Sequence, residues 1–329
     1  MGWNINHYKP KQQPFCYYEK VITLKEFVIL AVSLLLSGCM ERQPFVSAPS
    51  QCPPSSVSMA VENPAPLEQG PSIAETGNPT GVHPYLQSRL QEIADGIYYP
   101  GMSEYERTKA AFDYVLENMT RGESIGREMW RIHGGGDSPI PYLEQRALSP
   151  LQFGVGMCED YAAALTLLLR ELGLEAEYVP GLLYTVEGEL ADHAWTVVKI
   201  DGTWYHLDSH LEDYISRGRT VRYRYFLHGD ATFSLTHVWG QRLMDRGLLT
   251  PEQNQEIREH YIPETCPRDY PSVPQPQALH EAPAPDIASL TAQIEKEFSA
   301  YEQANGTLPP MELDIIPPVF GLEGYGPAD

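Results

Sequence analysis

A two-residue turn frames the first candidate chemistry. Asp201-Gly202 separates two runs of alternating apolar residues, a strong hairpin signal. A hairpin closed there sets Ile200 opposite Thr203, Val197 opposite His206, Trp195 opposite Asp208 and His193 opposite His210. Side chains alternate along a strand, so His193, Trp195, His206, Asp208 and His210 are predicted to share one face. Asp208 is then the diagonal neighbour of His193. A carboxylate beside an imidazole fixes its tautomer and supports its protonated form. Such a pair serves a nucleophile, and Cys158 is the candidate. It follows Gly154-Val155-Gly156-Met157 and opens an apolar helix. Glycines permit a tight turn, and a helix N-terminus favours a thiolate. Cys158, His193 and Asp208 are therefore a candidate Cys-His-Asp triad.

Acyl transfer also needs donors for an oxyanion. The Cys158 backbone N–H is one candidate. Gln152, six residues earlier, is a second, and Trp195 could wall the site or belong to the core. Two other classes compete. Cys158 alone reads as a buried structural thiol, which leaves a non-catalytic binding module. His193, His206, Asp208 and His210 on one face could hold zinc, a reading that chelator sensitivity separates from a thiol triad. The triad reading is preferred, with no metal and no cofactor.

The elements that must position these residues follow from periodicity. Tyr85 to Ile97 carries Leu86, Leu90 and Ile93 on one helical face. Ser103 to Met119 opens with a capping-box pattern, Ser103 and Glu106. Cys158 to Leu172 is apolar nearly all round, which marks a buried helix, and Gly173 ends it. Strands are predicted over 176–183, 194–200 and 203–208. Helices first and strands afterwards imply an α+β domain, an antiparallel sheet packed on the central helix.

The segments GVGMCEDYAAALTLLLRELGLEAEYVPGLL and DHAWTVVKIDGTWYHLDSH resemble the bacterial transglutaminase-like superfamily, which shares the papain-like cysteine core. Cys158, His193 and Asp208 match that pattern in order: a Cys opening a helix, a His-x-Trp strand, an Asp on the next strand. MSEYERTKAAFDYVLENM resembles the preceding helix. YRYFLHGDATF with His237 and Trp239 resembles a segment that follows the Asp, so the resemblance covers about 85–240. It implies thiolate attack on an amide, a thioester, and release to water or an amine. His193 would be base and then acid, and Asp208 its orienter. Relatives often carry a small residue and Thr-Trp after the Asp, where this chain has Ser209-His210-Leu211, a departure that bears on substrate preference more than on catalysis. Hydrolysis is expected ahead of amine transfer, because no lid is evident to keep water from the thioester. No EF-hand loop suggests calcium dependence.

The rest of the 329-residue chain frames this domain. Phe27 to Leu36 is an apolar run too short to span a bilayer, and Leu36-Ser37-Gly38-Cys39 resembles a lipobox. Residues 1–38 are predicted to be a lipoprotein signal peptide. Cys39 is then the lipidated anchor to the membrane. Residues 39–82 are predicted to be a Pro/Ser-rich tether, and 83–262 the catalytic domain. Residues 263–329 are predicted to be a largely disordered Pro-rich tail with one possible helix, 288–303. Prolines number 29, above the usual ~5 %. The net charge of −21 argues against a nucleic-acid partner. Five cysteines without a C-x-x-C pair give no disulfide framework. The expected partner is a protein or peptide substrate at the cell surface.

Overall fold

The computed structural model describes residues 81–134, 140–186 and 188–308. The chain divides into two units, Met1–Glu68 and Gln69–Asp329, and every described residue lies in the second. The lipobox, Cys39 and the tether before residue 81 lie outside the described residues.

Pro84 starts helix α1 (Pro84–Ile97), whose Leu86, Leu90, Ile93 and Ala94 are buried. Proline suits this position because a first-turn N–H has no intrahelical partner. Helix α2 (Glu104–Asn118) opens with the expected capping box between Ser103 and Glu106. Helix α3 (Tyr142–Leu148) runs into a wider turn, Ser149–Phe153. Helix α4 (Cys158–Glu171) is buried on nearly every side and ends before Gly173, whose φ is +75°. The strands follow: β1 (Ala176–Tyr184), β2 (Leu190–Ile200) and β3 (Thr203–Leu207). Helix α5 (Ser209–Ser216), β4 (Phe226–His228), β5 (His237–Val238) and helix α6 (Pro251–His260) complete the centre of the domain. The expected α+β class is borne out. The main sheet is antiparallel throughout, in the order β4-β3-β2-β1-β5.

The sheet therefore puts β2, the strand of His193, at its centre. The hairpin register is as expected where it is paired: Ile200 faces Thr203 and Val197 faces His206. Helix α4 covers one face, and a hydroxyl pair, Thr166 with Thr196 at 3.1 Å, joins helix to strand inside the core. Val179, Trp195 and Val197 lie in a separate cluster, closed by Phe233 and Cys266.

Two expectations need correction. Pairing does not continue to Asp208 and His210. The strand stops at Leu207 with an irregularity against β4, and Asp208 caps helix α5 by accepting the Leu211 N–H at 2.9 Å. His210 is thus a helical residue. The second correction concerns the Pro-rich tail, which packs on the body through the described part of its length. The Cys266 carbonyl accepts from the Asp230 N–H at 2.7 Å, and the Leu227 carbonyl from Tyr270 at 3.0 Å. Gln277–Ala278 pairs with Thr220–Val221, and helix α7 (Ile287–Asn305) buries Ile294 in the main core. Prolines remove donors but leave carbonyls and side chains free to dock, so proline content alone gave the wrong expectation. Residues 309–329 lie outside the described residues. Among those described, no helix is long and apolar enough to cross a membrane.

Candidate active site

Cys158 stands at the first position of α4, half-buried, behind a turn that its glycines make possible. Gly154 has φ +69°, a left-handed conformation that L side chains rarely adopt. A Cβ on Gly156 would fall 2.6 Å from the Asp160 Cβ. The turn is pinned from outside: Val155–Gly156 pairs in parallel with Thr120–Arg121, and Ser149 Oγ donates to the Val155 carbonyl at 2.6 Å. Asp160, in the first turn of α4, reaches back to accept the Met157 N–H at 2.8 Å. That leaves two carboxylates, Glu159 and Asp160, beside the thiol. Arg146 on α3 pairs with both, at 2.6 and 2.8 Å. Burial pushes both carboxyls up, and the guanidinium pulls them back towards ionisation. One cation thus offsets much of the negative charge that would otherwise oppose a thiolate.

His193 Nε2 lies 2.6 Å from Asp208 Oδ2, and both side chains are buried. Burial alone would strip the imidazole of its proton. The Asp208 carboxylate and the hydrogen bond to Cys158 outweigh it and push the His193 pKa up to about 10. With Nε2 given to Asp208, Nδ1 is the ring nitrogen left for the thiol. Asp208 is held well below the usual carboxylate range: burial opposes ionisation, but His193 and then His237 overcome it. The site is therefore built to hold an imidazolium between a carboxylate and Cys158.

The remaining residues divide. Trp195 is 1 % exposed, and its indole N–H donates to His206 Nδ1 at 3.0 Å. It lies within the core cluster with Phe233 and Cys266, with its ring 6.2 Å from that of His193. Gln152 is half-buried in the turn before Gly154. The His210 ring lies 5.8 Å from that of His193 and 5.2 Å from that of Tyr161. Both of its ring nitrogens are buried without hydrogen-bond partners among the described residues. Burial and the neighbouring His193 charge push its pKa down to about 3.

Among the described residues, potential ligands also form two tight groups of metal-ligand type, His193-Asp208-His237 and His206-Asp230-Cys266. The second is not arranged for a metal. The indole is a donor only, so His206 Nδ1 accepts and Nε2 carries the ring proton towards Asp230 at 2.9 Å. A metal on Nε2 would require an imidazolate. In the first, the hydrogen bonds to Asp208 occupy the nitrogens that would coordinate.

Sequence reasoning missed two partners. Arg146 gave no signal, because nothing links its position to the Glu159-Asp160 pair before the fold is known. His237 appeared only as part of a resembling segment, yet its Nε2 lies 3.1 Å from Asp208 Oδ2.

Residues 91–209, which hold all three candidate triad residues, match the family model of the Transglutaminase-like superfamily. This segment is therefore similar to transglutaminase-like domains. Among solved structures, a candidate cysteine protease from Cytophaga hutchinsonii is 21% identical with a TM-score of 0.29, the match covering 37% of each chain. A TGase is 20% identical with a TM-score of 0.27, covering 37% of this chain and 31% of that one. An arylamine N-acetyltransferase from Bacillus cereus is 14% identical with a TM-score of 0.28, covering 39% of this chain and 49% of that one. The likeness thus spans less than half of each of these chains. No curated protein matches the chain.

Proposed function

We propose that the protein is a cysteine acyl-transfer enzyme that opens peptide or side-chain amides through a thioester, with Cys158 as nucleophile, His193 as acid and base, and Asp208 as orienter. The observation that carries this reading is the buried His193–Asp208 bond of 2.6 Å with Cys158 as the imidazole's other partner. The Cys158 thiolate attacks the amide carbonyl carbon, and a C–S bond forms. Protonated His193 gives its proton to the leaving nitrogen as the C–N bond breaks. Neutral His193 then takes a proton from water, whose oxygen attacks the thioester. The C–S bond breaks, and a carboxylic acid and the thiolate are released. An amine in place of water gives transfer. The N–H groups of the first turn of α4 have no intrahelical partners and suit the oxyanion, with Gln152 as a side-chain candidate. Hydrolysis is favoured over transfer because water is always present and no lid is evident in the sequence.

Cys158→Ala should abolish turnover of a glutamine- or peptide-amide substrate, and His193→Ala should cost nearly as much, since the two act as one unit. Asp208→Asn should cost less than either. A thiol probe should label Cys158 and spare buried Cys266. Free carboxylate and ammonia without amine incorporation supports hydrolysis, whereas dominant amine incorporation supports transfer. An exposed Cys158 with no activity on any amide would favour a binding module instead.

The protein is further proposed to be extracytoplasmic and tethered by lipid on Cys39, on the strength of the apolar run ending in Leu36-Ser37-Gly38. Cys39→Ala should release it from the membrane fraction or leave it unprocessed. Wild-type processing and fractionation of that variant would overturn the anchor.

A further inference from the structure

Asp208 Oδ2 accepts from His193 at 2.6 Å and also faces His237 Nε2 at 3.1 Å, while Oδ1 takes the Leu211 N–H at 2.9 Å. We propose that His237 is a positioning residue for the reaction, its Nε2–H fixing the Asp208 carboxylate so that the remaining lone pair meets His193. The proposal rests on the reading of His193 as the acid and base of the site.

The hydrogen bonds around His237 fix one of its ring protons, on Nε2. Ionised Asp208 can only accept, so Nε2 carries a proton. Nδ1 lies 2.8 Å from Thr236 Oγ1. A neutral ring accepts the Thr236 hydroxyl proton there, and a charged ring would donate to it instead. Burial favours the neutral ring and pushes the His237 pKa down to about 4, against the pull of Asp208. His237 is fully buried and stacked on Phe233 at 3.9 Å, so its ring has little freedom to turn. Besides Asp208, the neighbouring titratable groups are His193 on β2, His206 on β3 and Tyr225 ahead of β4. None of these others donates to Asp208 besides His193.

Two histidines thus share one carboxylate oxygen in opposite states, His193 charged and His237 neutral. Without the Nε2–H of His237, the Asp208 carboxylate keeps, among the described residues, the Leu211 N–H on Oδ1 and His193 itself on Oδ2, and no third donor fixes its angle. The carboxylate can then swing away from His193. Burial, which disfavours the imidazolium, gains weight as the ion pair loosens.

The test compares the full chain as wild type, His237→Gln and His237→Phe. Gln can place an amide N–H near the position of Nε2, whereas Phe keeps the ring stack and removes the donor. Two measurements apply: the titration of His193 by NMR and the basic limb of kcat/KM, which reports loss of the His193 proton. Phe should lower both midpoints by about one pH unit, the tenfold in ionisation that an ordinary hydrogen bond is worth. Gln should leave both within about threefold of wild type. Equal shifts in the two variants, or none in either, would overturn the proposal. In the wild type, two-bond nitrogen–proton spectra should show His237 neutral with its proton on Nε2. A proton on Nδ1 would overturn the proposal even if a variant fails to fold. The two readings fail separately, since loss of the catalytic reading would show as Cys158→Ala leaving turnover intact, while the His193 titration reports on His237 regardless.

Discussion

Three histidines near the candidate site are held neutral for one dominant reason, burial, and their protonation is a stability matter as well as a catalytic one. His210, His237 and His206 all have depressed pKa values, to about 3 and about 4 for the first two. An unfolded histidine titrates near 6.5. Between these limits the unfolded chain binds more protons than the folded one, so stability falls as pH drops through 6.5. His193 works in the opposite sense. Its folded value of about 10 makes its contribution full below pH 6.5 and lost as pH rises through 10, so it is silent in the acid window. Lowering the pH from 7 to 5.5 should therefore cost about 1 kcal/mol for each of His210 and His237. His210 is the cleanest probe, because among the described residues its ring nitrogens have no hydrogen bonds to lose. Urea unfolding of His210→Asn should show a pH dependence flatter than wild type by about that amount. An unchanged dependence would mean that His210 protonates freely in the fold.

At the scale of elements, the sequence was legible wherever a local signal matched the tertiary outcome. The Ser103–Glu106 capping box, the apolar stretch from Cys158 and the Asp201-Gly202 turn each gave an element within a residue or two. The His193–Asp208 diagonal also emerged, although the pairing expected to produce it did not. Strand β3 ends one residue early, and Asp208 reaches His193 from the cap of α5. Aspartate both suits a strand end and caps a helix, and hairpin counting cannot tell these roles apart. His210 was misplaced for that reason. The donors that tune the site were illegible because they arrive from distant elements. Arg146 comes from α3, and His237 from a two-residue strand whose pairing with β1 no periodicity could announce.

For the whole molecule, the C-terminal segment changes what the folded unit is. Cys266 is fully buried among Val179, Trp195, Val197 and Phe233, and Ile294 lies in the main core. The segment also continues a chain of contacts that ends at the candidate triad. The Cys266 N–H donates to Asp230 Oδ2 at 3.3 Å, and Asp230 Oδ1 holds His206 Nε2 at 2.9 Å. His206 in turn fixes the Trp195 indole, which lies beside His193. A chain ending at Ile262 should lose the burial of Ile294 and Cys266 and uncover part of Trp195 and Phe233. At about 1.5–3 kcal/mol for a fully buried large apolar side chain, the total loss should be at least about 3 kcal/mol. Urea unfolding of chains covering 81–262 and 81–308 measures it directly. The shorter chain should have the lower midpoint and, through Trp195, a lower rate of Cys158 labelling by a thiol probe. Equal midpoints would mean that the segment lies on the body without supporting it. A lower midpoint with unchanged labelling would confine its role to the core and sever the link from Cys266 to the triad.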